Sequence, residues 1–380
     1  MNNSKIWLSS PHMGGNEEKF VKEAFDTNWV APLGPNVNNL EQDLSSYLGS
    51  QSHVGALSSG TAAIHLGLIL LGVQAGDEVI CQSMTFSASA NPILYQGAIP
   101  VFIDSESETW NLCPLALEKA IIERMAKGKK PKAIISVHLY GVPYQIEVVR
   151  TIADRYEIPI LEDSAEALGS SYKGRKCGTF GDISVLSFNG NKIITTSGGG
   201  AIVTKTKALK DKAIFFATQS REEAPHYQHS EIGYNYRMSN ICAGIGRGQM
   251  EVLDEHVSLR RAMHDFYVDV FKDISGITVF TVPNNNYFAN YWLSSILVDP
   301  KVTNGITRET IRLALELENI ESRPLWKPMH LQPVFQDYPY YGNEIAETLF
   351  ENGLCLPSGS NLTDEERTRI RGVLSKLIGK

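Results

Sequence analysis

Between His53 and Asp163 the chain repeats one pattern: a short apolar run, a turn, then a helical stretch. His53–Leu57, Glu78–Cys81, Val101–Ile103, Ala133–Val137 and Pro159–Leu161 read as strands. Ala62–Leu71, Ala88–Gln96, Pro114–Lys127 and Gln145–Tyr156 read as the helices between them. Strands alternating with helices of this length predict right-handed crossovers and a mostly parallel sheet. Ligands of such sheets bind beyond the carboxyl ends of the strands. Ser58–Thr61, Thr85-Phe86, His138, Asp163 and Lys192 all follow predicted strand ends. That shared address is stronger than any one of these residues alone.

Lys192 stands out among them. It lies in Ser187-Phe-Asn-Gly-Asn-Lys-Ile-Ile-Thr-Thr-Ser-Gly-Gly-Gly200, between the apolar runs Ile183–Ser187 and Ala201–Thr204. Lysine is costly to bury unless it has a chemical role. One such role is attack on a carbonyl, because a partly desolvated lysine loses its proton more easily. The plain alternative is a lysine at a solvated hairpin tip.

Ser58-Ser-Gly-Thr61 is predicted to join a strand to a helix, where free amides and the helix dipole attract an anion and Gly60 permits close approach. A simple helix cap would use the same residue types. Phe86 could shelve a flat ring or belong to the core. Asp163 could hold a ring nitrogen protonated, or cap the segment that follows it. Together these residues supply a phosphate cradle, an aromatic shelf, a carboxylate and an amine. Pyridoxal 5′-phosphate (PLP) requires those four parts.

Beyond about residue 240 the pattern changes. Ser239–Phe271 predicts one or two long helices, followed by strands at Ile277–Phe280 and Tyr291–Val298. Helices are predicted over Thr307–Leu317 and Thr363–Ile378. The expected division is a large domain over residues 1–250 and a smaller α+β domain over 251–380. Near the other end, residues 1–15 read as a loop that could join the small domain, and helices are expected over Glu17–Phe25 and Val37–Leu48.

Composition narrows the function classes. A formal net charge of -7 argues against a broad nucleic-acid or anionic-membrane surface. The five cysteines are scattered without metal spacing, which fits reduced thiols and predicts no metal site. The N-terminal residues lack a signal-peptide core, so a cytoplasmic location is expected. The longest apolar run, Ala62–Leu71, is too short to span a bilayer.

The sequence resembles the DegT/DnrJ/StrS sugar aminotransferases, PLP enzymes of fold type I, over essentially its whole length. The anchors are Ser59-Gly-Thr61, Thr85-Phe86, Glu162-Asp-Ser-Ala-Glu166, Ser187–Lys192, Gly198-Gly-Gly200 and Gly233-Tyr-Asn-Tyr-Arg-Met238. Asn189–Gly200 and Glu321-Ser-Arg-Pro-Leu-Trp-Lys-Pro-Met-His330 look most similar to transaminases of UDP-4-keto-6-deoxy-N-acetylglucosamine, as in bacillosamine synthesis. The resemblance implies an α/β large domain with a mostly parallel sheet flanked by helices, and the smaller C-terminal domain. It implies Lys192 as the covalent aldimine lysine and general base, with Asp163 on the pyridine nitrogen. It implies Phe86 on the ring, Ser59, Gly60, Thr61 and Ser187 at the phosphate, and Glu166 near the ring hydroxyl. Glu166 stands where many members carry Gln or His.

By the same resemblance, Asn235 would reach the phosphate of a neighbouring subunit, which implies a homodimer with shared sites. Asn28, Trp29, Val30 and Ala31 would lie near the sugar nucleotide. Arg323, Trp326, Lys327 and His330 form a basic, aromatic cluster suited to a diphosphate and a uracil. His138, Arg221 and Arg237 are further substrate candidates. L-glutamate would donate the amine and leave as 2-oxoglutarate. The alternatives are another nucleotide keto sugar (dTDP- or GDP-linked, or aminated at C3), a sugar dehydratase on the same fold, or a non-catalytic PLP-binding regulator. Dehydratase relatives replace the aldimine lysine by histidine, which disfavours that reading at Lys192.

Overall fold

A computed structural model describes residues 4–49 and 51–379. Of the loop expected over residues 1–15, the first three positions lie outside the described residues. The centre is an eight-stranded sheet in the order His53–Leu57, Gly200–Thr204, Ile183–Ser187, Ile160–Asp163, Ala133–Val137, Glu78–Gln82, Ile99–Ile103, Tyr340–Tyr341. Only Gly200–Thr204 runs against the rest, inserted between His53–Leu57 and Ile183–Ser187. The sheet is therefore mostly parallel, as the strand–helix alternation predicts.

Its strands are buried on both faces because helices cover both. Val79, Cys81, Ile135 and Leu161 pack on one side with Ile64 and Leu66 of the Gly60–Leu70 helix. Ile80, Ile134 and Ile160 alternate to the other side, under the Pro114–Ala126 and Ile146–Arg155 helices.

A second, four-stranded antiparallel sheet is ordered Ile277–Val279, Ser294–Val298, Gly353–Leu356, Arg323–Pro324. The Arg308–Leu317 and Asp364–Ile378 helices are each opened by a threonine capping box. Ile6 pairs with Ile320 and packs in this C-terminal core.

Two strand limits are revised, and two further details are added. The long helical region divides at Val252 into Asn240–Glu251 and Leu253–Phe271. The strand expected from Tyr291 starts at Ser294, because Tyr291 has φ 48° and the Trp292 amide donates to Asn290 Oδ1 instead of a strand neighbour. The strand expected to Phe280 ends at Val279. Tyr340–Tyr341, from the C-terminal third, completes the edge of the large sheet.

Candidate active site

The carboxyl ends of the parallel strands open on a cavity of about 620 Å³. Lys192, Asp163, Glu166, Phe86, Ser187 and the Ser59–Thr61 turn all line it. Chain topology explains the meeting. Asp163 ends one strand and Ser187 ends its parallel neighbour. The chain then leaves through Phe188–Gly199 before returning as Gly200–Thr204, and Lys192 rides on that excursion.

The phosphate cradle is built at the start of the Gly60–Leu70 helix. Ser59 is its N-cap, its Oγ accepting from the Ala62 amide at 3.0 Å. The Gly60 and Thr61 amides lie in the first turn, where no intrahelical acceptor exists. A Cβ on Gly60 would stand 3.0 Å from Ser187 Cβ, so glycine keeps the cradle open. Gly200 serves the backbone instead, since a Cβ there would lie 2.4 Å from the Gly60 nitrogen. The last glycine of the triplet thus lets the returning strand pass behind the cradle.

Asp163 is buried beside the cradle and held from two sides. Ser89 Oγ donates to Oδ2 at 2.7 Å, and the Ala165 amide donates to Oδ1 at 3.1 Å. Ser89 Oγ also sits 2.8 Å from Thr85 Oγ1. Phe86 is 56% exposed although it lines the cavity, a large apolar face left for a flat ligand to cover. Its ring centre is 5.6 Å from that of Trp326.

Lys192 Nζ lies 3.2 Å from Glu166 Oε1 and 4.0 Å from the centre of the Trp292 ring. Glu166 Oε2 accepts the Tyr140 amide at 2.7 Å. Burial pushes the Glu166 carboxyl up to about 7, against the opposing pull of the Lys192 ammonium. The Glu166 carboxyl can therefore take up or release a proton near neutral pH, beside the amine. A cradle with glycine at position 60, an aromatic face, an anchored carboxylate and an amine paired with a buried carboxyl fit PLP.

Other expected residues lie elsewhere. His138 is fully buried away from the cavity, stacked on Tyr144 at 4.8 Å and bonded to Glu162 at 2.7 Å. Against the upward push of burial, His138 and the Gly178 and Gly181 amides hold Glu162 down to about 2. His138 is thus engaged in a closed core cluster and cannot meet a substrate. Arg237 is also spent internally, on Glu41 and the Ala56 carbonyl. His330 does not line the cavity and is engaged by Ser83 at 2.6 Å and Glu347 at 3.0 Å. Lys327 is exposed and does not line the cavity. Asn28, Trp29 and Val30 are exposed and Ala31 partly so, all outside this chain's cavity. The Trp29 and Ala31 carbonyls are fastened to Asn240. Asn235 is exposed and pairs with Thr218, and Arg221 lies over Tyr227, both away from the cavity. Arg323 and Trp326 do line it; the Arg323 side chain is 70% exposed and held by Glu321 at 2.7 Å.

Sequence reasoning missed Ser89, Trp292 and Glu321, which also line the cavity. Ser89 had a faint signal, falling one turn after Thr85-Phe86 within a helix start. Glu321 accepts the Leu8 amide at 3.0 Å, across 313 positions of sequence, and no local pattern announces that. Among the described residues no cluster suited to a metal occurs, and no helix is long and apolar enough to cross a membrane.

Residues 11–375 match the model of the DegT/DnrJ/EryC1/StrS aminotransferase family. The EpsN protein of Bacillus subtilis strain 168 is 50% identical over 378 residues, 98% of this chain and 96% of that one. GDP-perosamine synthase of Escherichia coli O157:H7 is 40% identical over 364 residues, 95% of each chain. The crystal structure of a DegT DnrJ EryC1 StrS aminotransferase from Brucella abortus superposes with a TM-score of 0.89 at 28% identity, over 96% of both chains.

Proposed function

The chain belongs to the DegT/DnrJ/EryC1/StrS aminotransferase family, and from that premise we propose that it moves an amino group from L-glutamate to C4 of a UDP-linked 4-keto-6-deoxy-N-acetylhexosamine. It is a PLP-dependent sugar aminotransferase. The observation that carries the reading is the joint placement of Lys192, Asp163 and Glu166 on one cavity beside the Ser59–Thr61 cradle.

Bound PLP would supply an electron sink for negative charge developing at the reacting carbon. Gly60, Thr61 and Ser187 would hold its phosphate, and Phe86 would cover its ring. Asp163 would face the ring nitrogen; its two anchors, Ser89 and the Ala165 amide, hold its carboxylate in a fixed direction. Lys192 Nζ takes and returns the proton at the reacting carbon. Glu166 stands 3.2 Å from that amine, and its proton affinity, raised by burial, lets the carboxyl take up or release a proton beside Nζ near neutral pH. The Trp292 ring floors the amine and keeps it from swinging away.

Arg323 and Trp326, lining the cavity, support an acceptor with a diphosphate and a base. The UDP assignment and the 4-keto-6-deoxy-N-acetyl pattern rest on the resemblance of Asn189–Gly200 and Glu321–His330. The second reading is a GDP-linked keto sugar, favoured by the name of the Escherichia coli relative. In a homodimer, Asn235 of one subunit would reach the phosphate bound in the other. The product would feed a surface glycan or glycoprotein.

An absorbance spectrum tests this directly. Purified protein should show a visible cofactor band that bleaches with L-glutamate and returns with UDP-4-keto-6-deoxy-N-acetylglucosamine. Bleaching without return rejects this acceptor, and return with a GDP-linked keto sugar alone establishes the second reading. No response to glutamate despite bound cofactor rejects the donor.

A further inference from the structure

The Leu253–Phe271 helix buries a polar stripe: His256, Arg260 and His264, each one turn apart. Arg260 is 1% exposed. Among the described residues no carboxylate pairs with it, and burial alone moves its pKa, lowering it to about 9, so it stays charged at neutral pH. A buried cation without an anion is costly, and its hydrogen-bond partners must offset that cost.

Those partners cluster around Lys192. Arg260 Nη1 donates to the carbonyls of Trp292 at 2.6 Å and Ser358 at 3.3 Å. Nη2 donates to Ser9 Oγ at 2.9 Å and reaches the carbonyl of Lys192 itself at 3.5 Å. One turn earlier, His256 Nδ1 stands 3.3 Å from the next carbonyl, that of Ile193. Two consecutive carbonyls of the lysine loop are thus gripped by side chains four apart on one helix face. The same guanidinium holds the backbone of Trp292, whose ring carries the ammonium and whose Nε1 donates to the Asn191 carbonyl at 2.6 Å. Ser9 Oγ also donates to that carbonyl, at 2.7 Å, and His12 stacks on His256 at 4.5 Å.

We propose that Arg260, assisted by His256, is a positioning residue that sets the height of the Lys192 amine over Trp292 and against Glu166; the proposal rests on the reading of Lys192 as the reacting amine. A guanidinium can span four oxygens in a plane, whereas the lysine ammonium is a point donor with a different reach. Arg260→Lys therefore keeps the charge and loses the geometry.

The test uses the full chain freed of cofactor, in wild type, Arg260→Lys, Arg260→Gln and His256→Ala. Circular dichroism checks the fold. The rate at which added PLP is captured is followed at its visible band, and borohydride reduction with peptide mapping identifies the lysine. Capture at Lys192 should slow by roughly 10- to 100-fold in both Arg260 variants, the scale expected for an ångström of misplacement. It should slow less in His256→Ala. In the reloaded enzymes kcat should fall with capture while the KM for glutamate stays within about twofold, since only the amine is displaced. A folded Arg260 variant that captures PLP at the wild-type rate overturns the proposal. Should neither Arg260 variant fold, His256→Ala decides on the same terms. A wild-type adduct that maps to another lysine overturns the Lys192 reading, and this proposal with it.

Discussion

Replacing Glu166 by Gln should flatten the pH dependence of stability in the cofactor-free protein. In the unfolded chain this carboxyl releases its proton near 4.5, and in the folded protein burial pushes that point up to about 7. Between those values the folded state holds a proton that the unfolded state has lost. Raising the pH through that window therefore favours unfolding. The stabilisation is fully present below 4.5 and is gone above about 7. Each tenfold change in proton concentration across the window is worth about 1.4 kcal/mol, so the whole effect approaches about 3 kcal/mol. The nearby Lys192 ammonium pulls the other way, and its pull is already contained in the net shift. Urea unfolding of wild type and Glu166→Gln from pH 5 to pH 8 measures the effect as a difference, which cancels the titration of groups not coupled to Glu166. Wild type should lose about 2–3 kcal/mol more than the variant across that range. Parallel curves would refute the argument that burial dominates at Glu166.

Three further outcomes follow from the same geometry. Ser89→Ala removes one of the two anchors of Asp163 and should lower kcat about tenfold without changing the circular dichroism spectrum; an unchanged kcat would show that the Ala165 amide suffices. Asp163→Asn should retain bound cofactor and lose roughly a hundredfold or more in turnover, because the neutral side chain no longer supports the electron sink; full activity would remove Asp163 from that role. Gly60→Ala places a methyl 3.0 Å from Ser187 Cβ and narrows the cradle. PLP affinity, measured by fluorescence titration of cofactor-free protein, should fall about tenfold or more, or roughly 1.4 kcal/mol. Wild-type affinity would mean that the cradle is not the phosphate site.

Much of this was legible locally. The period of apolar runs is a near-neighbour property, so the strands, the crossovers and the parallel sheet could be read directly. The strand-end rule then gathered Ser59–Thr61, Phe86, Asp163 and Lys192 without coordinates, because topology brings all such ends to one edge. His138 shares that address and shows the rule's limit. An address does not say which way a side chain turns, and Glu162 draws this one into the core. Arg237 failed similarly, since Glu41 lies almost two hundred positions away and nothing local reveals that the charge is already spent. Tertiary structure alone decided the surroundings of the amine. Trp292, Glu321, Ser9 and Arg260 come from distant parts of the chain, and their contacts depend on the packing of the second sheet and its long helix against the lysine loop. Sequence determined which chemistry the chain carries, because reactive groups are residue types. The fold determined how that chemistry is tuned, because burial, distance and proton affinity arise only when remote segments meet.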